Sequence, residues 1–338
     1  MFKSIVLPKA LAAGLAAAAL VLLPSLSPAQ TSAPSTAKPL TKVMLRLDWK
    51  SGGQHVPFFL GKDRGFFAAE GVDLQIISGS GSADSVKQLG AGTVEMALVD
   101  ALVLVQAAEQ GVPVRAVAVY YQRTPIALLS PKSKPVTRPA QLASGIKVGS
   151  KRASSTSQGL IALLAAHKID QKKVNIVDIG FGVQPLLLGQ VDALMGFSMN
   201  EAIEAETNGM PVHEMLISDH GVDAYGLTLA ASQKFLAANP DVIRGFLRAT
   251  RRSLEAVMTD KPAAVLALSR SASEIDQARE LKVVAKAEPF LYVKGADIRS
   301  FGTQTAVGWQ QTIETATRLG LVEKAPRAAD VFVVGMDW

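Results

Sequence analysis

The chain has 338 residues, of which 49% are hydrophobic and only 19% charged, with a formal charge of +6 and a mean hydropathy of +0.24. That length suits roughly two domains, and the apolar content excludes a disordered chain. The lack of cysteine excludes a disulfide framework, a thiolate metal site, a cysteine nucleophile and a lipid-bearing N-terminal cysteine.

Lys3 and Lys9 flank the start of an apolar run, 11–23, which Pro24 breaks. Ser27 and Ala29 supply the small residues of a cleavage site. This pattern predicts a secretory signal peptide over 1–29. The run is shorter than the ~20 residues needed to span a bilayer. A Ser/Thr/Pro/Ala linker follows over 30–40, and the protein is expected in the periplasm.

Strands and helices then alternate. Strands are predicted at 43–47, 72–77, 94–99 and 114–121, with helices at 57–69, 83–89 and 101–109 between them. This rhythm predicts a parallel sheet with right-handed crossovers. The pattern restarts with strands at 126–129, 146–149, 174–179, 193–197 and 212–217, and helices at 158–167 and 185–188. A return strand is expected at 227–230. Helices at 232–238, 240–259, 262–270, 273–287 and 295–319 complete the chain, with Asn239 and Pro240 at the N-terminus of the second. The fold class is therefore α/β, with two parallel-sheet lobes and a cleft at their strand ends, where open α/β sheets place ligands.

Three segments carry a family resemblance. The first is Leu47-Asp48-Trp49, His55, and Gly65-Phe66-Phe67-Ala68-Ala69-Glu70-Gly71-Val72-Asp73-Leu74. The second is Gly79-Ser80-Gly81-Ser82 with Leu89-Gly90-Ala91-Gly92-Thr93-Val94-Glu95-Met96. The third is Leu188-Gly189-Gln190-Val191-Asp192-Ala193, with Asn239-Pro240 and Phe246-Leu247-Arg248-Ala249-Thr250 later. Together they resemble the periplasmic substrate-binding proteins of ABC importers, in the family of thiamine-pyrimidine-precursor, riboflavin, nitrate, taurine and alkanesulfonate binders. The yeast thiamine-pyrimidine synthase shares that fold.

The resemblance implies a hinged two-lobe fold of type II, lobe one holding 41–128 and 229–338 and lobe two 129–228. It implies a small-molecule ligand, and as partners a membrane permease and a separate ATPase. The Asp48-Trp49 pair with His55 looks most like the pyrimidine- and riboflavin-binding branch. Trp49 offers a stacking face and Asp48 accepts charge-assisted hydrogen bonds. Gly81 and Ser82 border the ligand in such proteins. Ser154, Ser155 and Thr156 form a polar cradle at a helix N-terminus. Phe197, Asn200 and Glu201 follow a second-lobe strand, and Asp100 follows a first-lobe strand. Tyr121 and Tyr225 fall near the two crossings between lobes. All of these are candidate ligand contacts. The alternative ligand is a small anion such as an alkanesulfonate, taurine or nitrate, and an exported ligand sensor is the alternative role.

Enzyme chemistry is not expected. The synthase uses a Lys and a His that align here with Val99 and Val103, and it carries a cysteine-rich motif that this chain lacks. His55, His167, His213 and His220 show no paired metal spacing, and no cofactor is expected. The basic stretches 132–138 and 248–252 are too short to predict a nucleic-acid partner.

Overall fold

The computed structural model describes residues 40–272, 274–293 and 295–338. The expected leader, and all of the linker but Leu40, lie outside the described residues. Ten strands are described: β1 (Thr41–Arg46), β2 (Val72–Ile77), β3 (Met96–Asp100), β4 (Val114–Val119), β5 (Ile126–Pro131), β6 (Lys147–Ser150), β7 (Asn175–Asp178), β8 (Ala193–Phe197), β9 (Val212–Leu216) and β10 (Leu227–Ser232). They form two sheets, ordered β2-β1-β3-β10-β4 and β7-β6-β8-β5-β9.

The two sheets repeat one design. In the first, β1 runs parallel to β2 and β3, while β10 is antiparallel to both β3 and β4. In the second, β6 runs parallel to β7 and β8, while β5 is antiparallel to both β8 and β9. The sheets are thus mixed, which corrects the expectation of parallel ones. The reason lies in the links. Parallel neighbours need a long crossover, and helices supply it inside each lobe. No helix joins β4 to β5. The β9–β10 link holds only the 3-10 turn Ile217–His220. Each short link carries the chain into the opposite sheet, where the arriving strand pairs antiparallel.

The strand pairings also move the crossings. All of β5 lies in the second sheet and all of β10 in the first, so the chain crosses at 120–125 and 217–226 rather than at 128/129 and 228/229. The crossings lie side by side. Tyr120 and Tyr121 donate their backbone N–H groups to the Leu227 carbonyl, and Gly226 donates to the Tyr121 carbonyl at 3.0 Å.

Strands β3 and β10 are buried along their whole length, as their largely apolar sequences suit at the centre of a covered sheet. The tail helices Pro240–Thr259 and Lys261–Ser271 pack on helix Val56–Asp63 of lobe one. Helix Gln277–Leu291 instead touches both Gly53–His55 and the second-lobe helix Glu201–Thr207. It begins later than expected because Asp276, accepting from the Arg279 N–H, is its cap. The expected helix over 295–319 is reduced to Ala306–Arg318. Gly302, at φ +79°, bridges to Val119 upstream of it. Among the described residues no helix is long and apolar enough to cross a membrane.

Gly226 is where the crossings meet most closely. A Cβ there would stand 2.7 Å from the Arg123 carbonyl oxygen and 3.0 Å from the Tyr121 Cβ. Backbone on one side and a buried tyrosine on the other leave little room to yield. Gly226→Ala is expected to cost about 1–3 kcal/mol, read as a lower urea midpoint. A midpoint equal to the parent would show that the crossings part freely.

Candidate functional site

The C-terminal ends of β1, β6, β7 and β8 converge between the lobes. Their loops, with Gln54, enclose a chamber of about 470 Å³, mouth included. Lobe one contributes Asp48, Trp49 and Gln54. Lobe two contributes Lys151, Ser154, Ser155, Thr156, Ile179, Gly180, Gly182, Leu194, Met195, Phe197, Asn200 and Glu201.

On the lobe-one wall, the Gly79 N–H donates to the Trp49 carbonyl and holds the loop after β1. Asp48 and His55 are both buried, with His55 Nε2 2.9 Å from Asp48 Oδ1. The Gly52 N–H points at His55 Nδ1 over 3.3 Å. Nδ1 is therefore the acceptor, and the proton sits on Nε2, donated to Asp48. Trp49 meets Phe181 from the opposite lobe edge-on, with ring centroids 4.4 Å apart at 60°. Lys50 Nζ and Lys151 Nζ, one from each lobe, lie 4.6 and 4.7 Å from the Phe181 ring centroid.

On the lobe-two wall, Ser154 caps helix Ser155–Ala166 by accepting from the Ser157 N–H. Its hydroxyl also donates to the Lys151 carbonyl at 2.6 Å and pairs with that of Thr156 at 2.8 Å. Much of the hydroxyl cradle is thus satisfied internally. Glu201 Oε2 accepts from the Phe197 N–H at 2.7 Å. Burial pushes the Glu201 carboxyl up to about 7, and the Phe197 N–H pulls it back in part. Glu204 adds to the rise, and Arg279 opposes it. Arg279 crosses from the tail helix to donate to Asn200 Oδ1 at 3.2 Å. It lies 3.6 Å from Glu204 and 3.1 Å from Glu280.

Eight of the residues singled out from sequence line the chamber: Asp48, Trp49, Ser154, Ser155, Thr156, Phe197, Asn200 and Glu201. Six do not. His55 stands behind Asp48, fully buried, and orients it. Ser82 accepts from the Asp100 N–H at 3.0 Å, and Asp100 in turn caps helix Ala101–Glu109 by accepting from the Leu102 N–H. Burial pushes Asp100 up to about 7, against the two backbone N–H groups of Leu102 and Val103. Gly81, at φ +130°, lies where the first lobe packs closely on the second. A Cβ there would lie 3.0 Å from the Ala153 carbonyl oxygen. Tyr121 is fully buried against Tyr120 and Phe290, and Tyr225 packs on Trp309.

Sequence reasoning missed Gln54, Lys151 and the turn Ile179-Gly180-Phe181-Gly182. Strand-end logic applied to β7 finds that turn, since it follows β7 as Asp48 follows β1. Gln54 carries no comparable signal.

A family model described as NMT1/THI5 like matches residues 53–264. The riboflavin-binding protein RibY of Chloroflexus aurantiacus is 28% identical over 68% of this chain and 66% of its own length. The formylaminopyrimidine-binding protein of Halalkalibacterium halodurans is 23% identical over 91% of this chain and 94% of its own. A 4-amino-5-hydroxymethyl-2-methylpyrimidine phosphate synthase of Saccharomyces cerevisiae, THI12, is 26% identical over 65% and 68%. Among solved structures, the alkanesulfonate-binding protein SsuA of Xanthomonas axonopodis bound to MOPS superposes with a TM-score of 0.67 at 14% identity. That match covers 87% of this chain and 99% of the other. The chain has the fold of these periplasmic binding proteins.

The buried carboxyls give this site a pH signature. Glu201 binds its proton more tightly folded than unfolded, so its contribution to stability is complete below the unfolded value, 4.5, and is lost as pH rises through about 7. Asp100 acts in the same direction. The parent is expected to lose stability between pH 5 and pH 8. Glu201→Gln should remove up to about 3 kcal/mol of that loss and leave the Asp100 share. Urea midpoints measured across that range test this, and a parent midpoint that rises with pH would contradict it.

Proposed function

We propose, from the premise that this chain belongs to the NMT1/THI5-like family, that it is the solute-binding component of an ABC importer. It takes a flat nitrogen heterocycle, a thiamine-pyrimidine precursor first, between its lobes. The observation that carries this reading is Trp49 in the chamber wall with the carboxyls Asp48 and Glu201, its ring met edge-on by Phe181 of the opposite lobe, which lines the adjoining recess. An aromatic face suits a planar ring, and carboxylates suit its amino and ring N–H groups.

The same residues argue against a small anion. The chamber holds two carboxyls, Asp48 and Glu201, and among the described residues its one lining cation is Lys151 and no arginine lines it. A sulfonate or nitrate enclosed there would meet like charge in a poorly screened space. The Ser154 hydroxyl that an anion needs is already engaged by Lys151, Ser157 and Thr156.

The names of two relatives, a formylaminopyrimidine binder and a riboflavin binder, fit a planar heterocycle. A synthase activity is not proposed. Val99 and Val103, which stand where that chemistry needs a Lys and a His, are buried apolar core. In the proposed mechanism the lobes close on the ring about the paired crossings, and the permease reads the closed form. The leader over 1–29 delivers the protein to the periplasm in this reading. Its alternative role is as a ligand sensor, which would hand the closed form to a receptor rather than to a permease.

A thermal-shift panel of aminopyrimidines, riboflavin, taurine, alkanesulfonates and nitrate tests the ligand class. A ligand at about 100 times its Kd adds about 2.7 kcal/mol of stability. Stabilisation is expected from a heterocycle, weakened about tenfold or more in affinity by Trp49→Ala. Stabilisation by sulfonates or nitrate alone would overturn the reading.

A further inference from the structure

We propose that the cleft accepts its heterocycle unphosphorylated and discriminates against the phosphate ester of the same ring. This rests on the heterocycle reading and adds a rule for the substituent. The chamber opens onto a larger outer recess of about 1450 Å³, mouth included, and the two share Trp49, Gly182, Asn200 and Glu201 as walls. A ring seated beside Trp49 sends its substituent past Glu201 into that recess.

The recess is poor ground for a phosphate. Its walls carry Glu201, Glu204, Glu274 and Glu280, and Asp48 lies behind them in the inner chamber. Its one guanidinium, Arg279, is already held by Glu280, Asn200 and Glu204. No open bidentate fork remains for a phosphate, the arrangement that phosphate sites favour. Lys50 lines the recess and Lys151 the chamber, both against the Phe181 ring, so the recess walls hold four acids to two cations, Lys50 and Arg279.

An independent observation concerns the chamber itself. Gln54 lines it and is only 3% exposed, and its side-chain oxygen has no hydrogen-bond partner among the described residues. A buried acceptor without a partner is costly, so it calls for a ligand donor. A hydroxyl or amino group supplies one. A phosphate ester brings about −1.5 to −2 charges at pH 7 and further acceptors.

The test is calorimetric titration of the full chain with two matched pairs at slightly alkaline pH. These are riboflavin and its phosphate ester, and 4-amino-5-hydroxymethyl-2-methylpyrimidine and its phosphate. The expected result is that the alcohol of at least one pair binds and its ester binds at least about tenfold more weakly. The ratio should shrink at high salt, because the exclusion is electrostatic. It should also shrink in Glu204→Gln, which takes one carboxylate from Arg279.

Equal or tighter binding of the ester overturns the inference and leaves the heterocycle reading standing. A ratio unmoved by salt and by Glu204→Gln also overturns it, since steric exclusion would behave that way. Binding of neither alcohol, with sulfonates binding instead, overturns the heterocycle reading and this inference together.

Discussion

The two chain crossings, hydrogen-bonded side by side through Tyr121, Gly226 and Leu227, are the constraint on which the rest of the architecture depends. Because both crossings are short, the chain exchanges sheets twice and each sheet receives one antiparallel strand in its fourth position. That placement leaves the C-terminal ends of β1, β3, β6, β7 and β8 pointing into one gap. The loops after β1, β6, β7 and β8 become the chamber walls. The backbone at Gly226 packs against the first crossing with no room for a side chain, so the two crossings form one paired strap.

The chamber is organised by where its hydrogen bonds are already spent. Ser154 and Thr156 satisfy each other and their own helix start. Asp48 is fixed by one oxygen to His55. No protein donor among the described residues reaches its second oxygen. Glu201 is anchored through Oε2 by the Phe197 N–H in the same way. The groups left for a ligand are therefore acceptors more than donors, and aromatic faces more than cations. Residues that resemble an anion cradle in the sequence become, once folded, a helix cap that serves itself.

Much of this was legible in the sequence because the strands of each lobe are strongly apolar and separated by glycine-marked turns. The ends of β2, β8, helix Ala101–Glu109 and helix Pro240–Thr259 follow directly from that pattern. Strand direction was not legible. β5 and β10 look like any buried run, and only the absence of a helix before each signals reversal. Trp49 and Glu201 were readable as strand-end residues. Phe181 holds the same kind of place after β7, but a single aromatic between two glycines reads first as a turn. His55 and Asp100 were recognised as polar residues near the cleft, but which of them touches ligand and which supports a neighbour depends on side-chain direction, and spacing carries no record of that.

The tail helix Gln277–Leu291 adds a coupling that neither sheet provides. Arg279 leaves this lobe-one helix and reaches Asn200 and Glu204 of lobe two, while the neighbouring Glu280 accepts from the Gly53 N–H beside Gln54. Lys286, two turns along the same helix, contacts Glu214, which also accepts from the Ser198 hydroxyl. Asn200 lines the chamber, so one of its wall residues is held in place by a side chain from the opposite lobe. Opening the cleft must break these polar contacts and expose Arg279, Glu204 and Glu214 to water. Each exposed ion pair is worth little singly, and its strength falls with salt. Two such links on one helix join the sheets beside the Trp49–Phe181 contact.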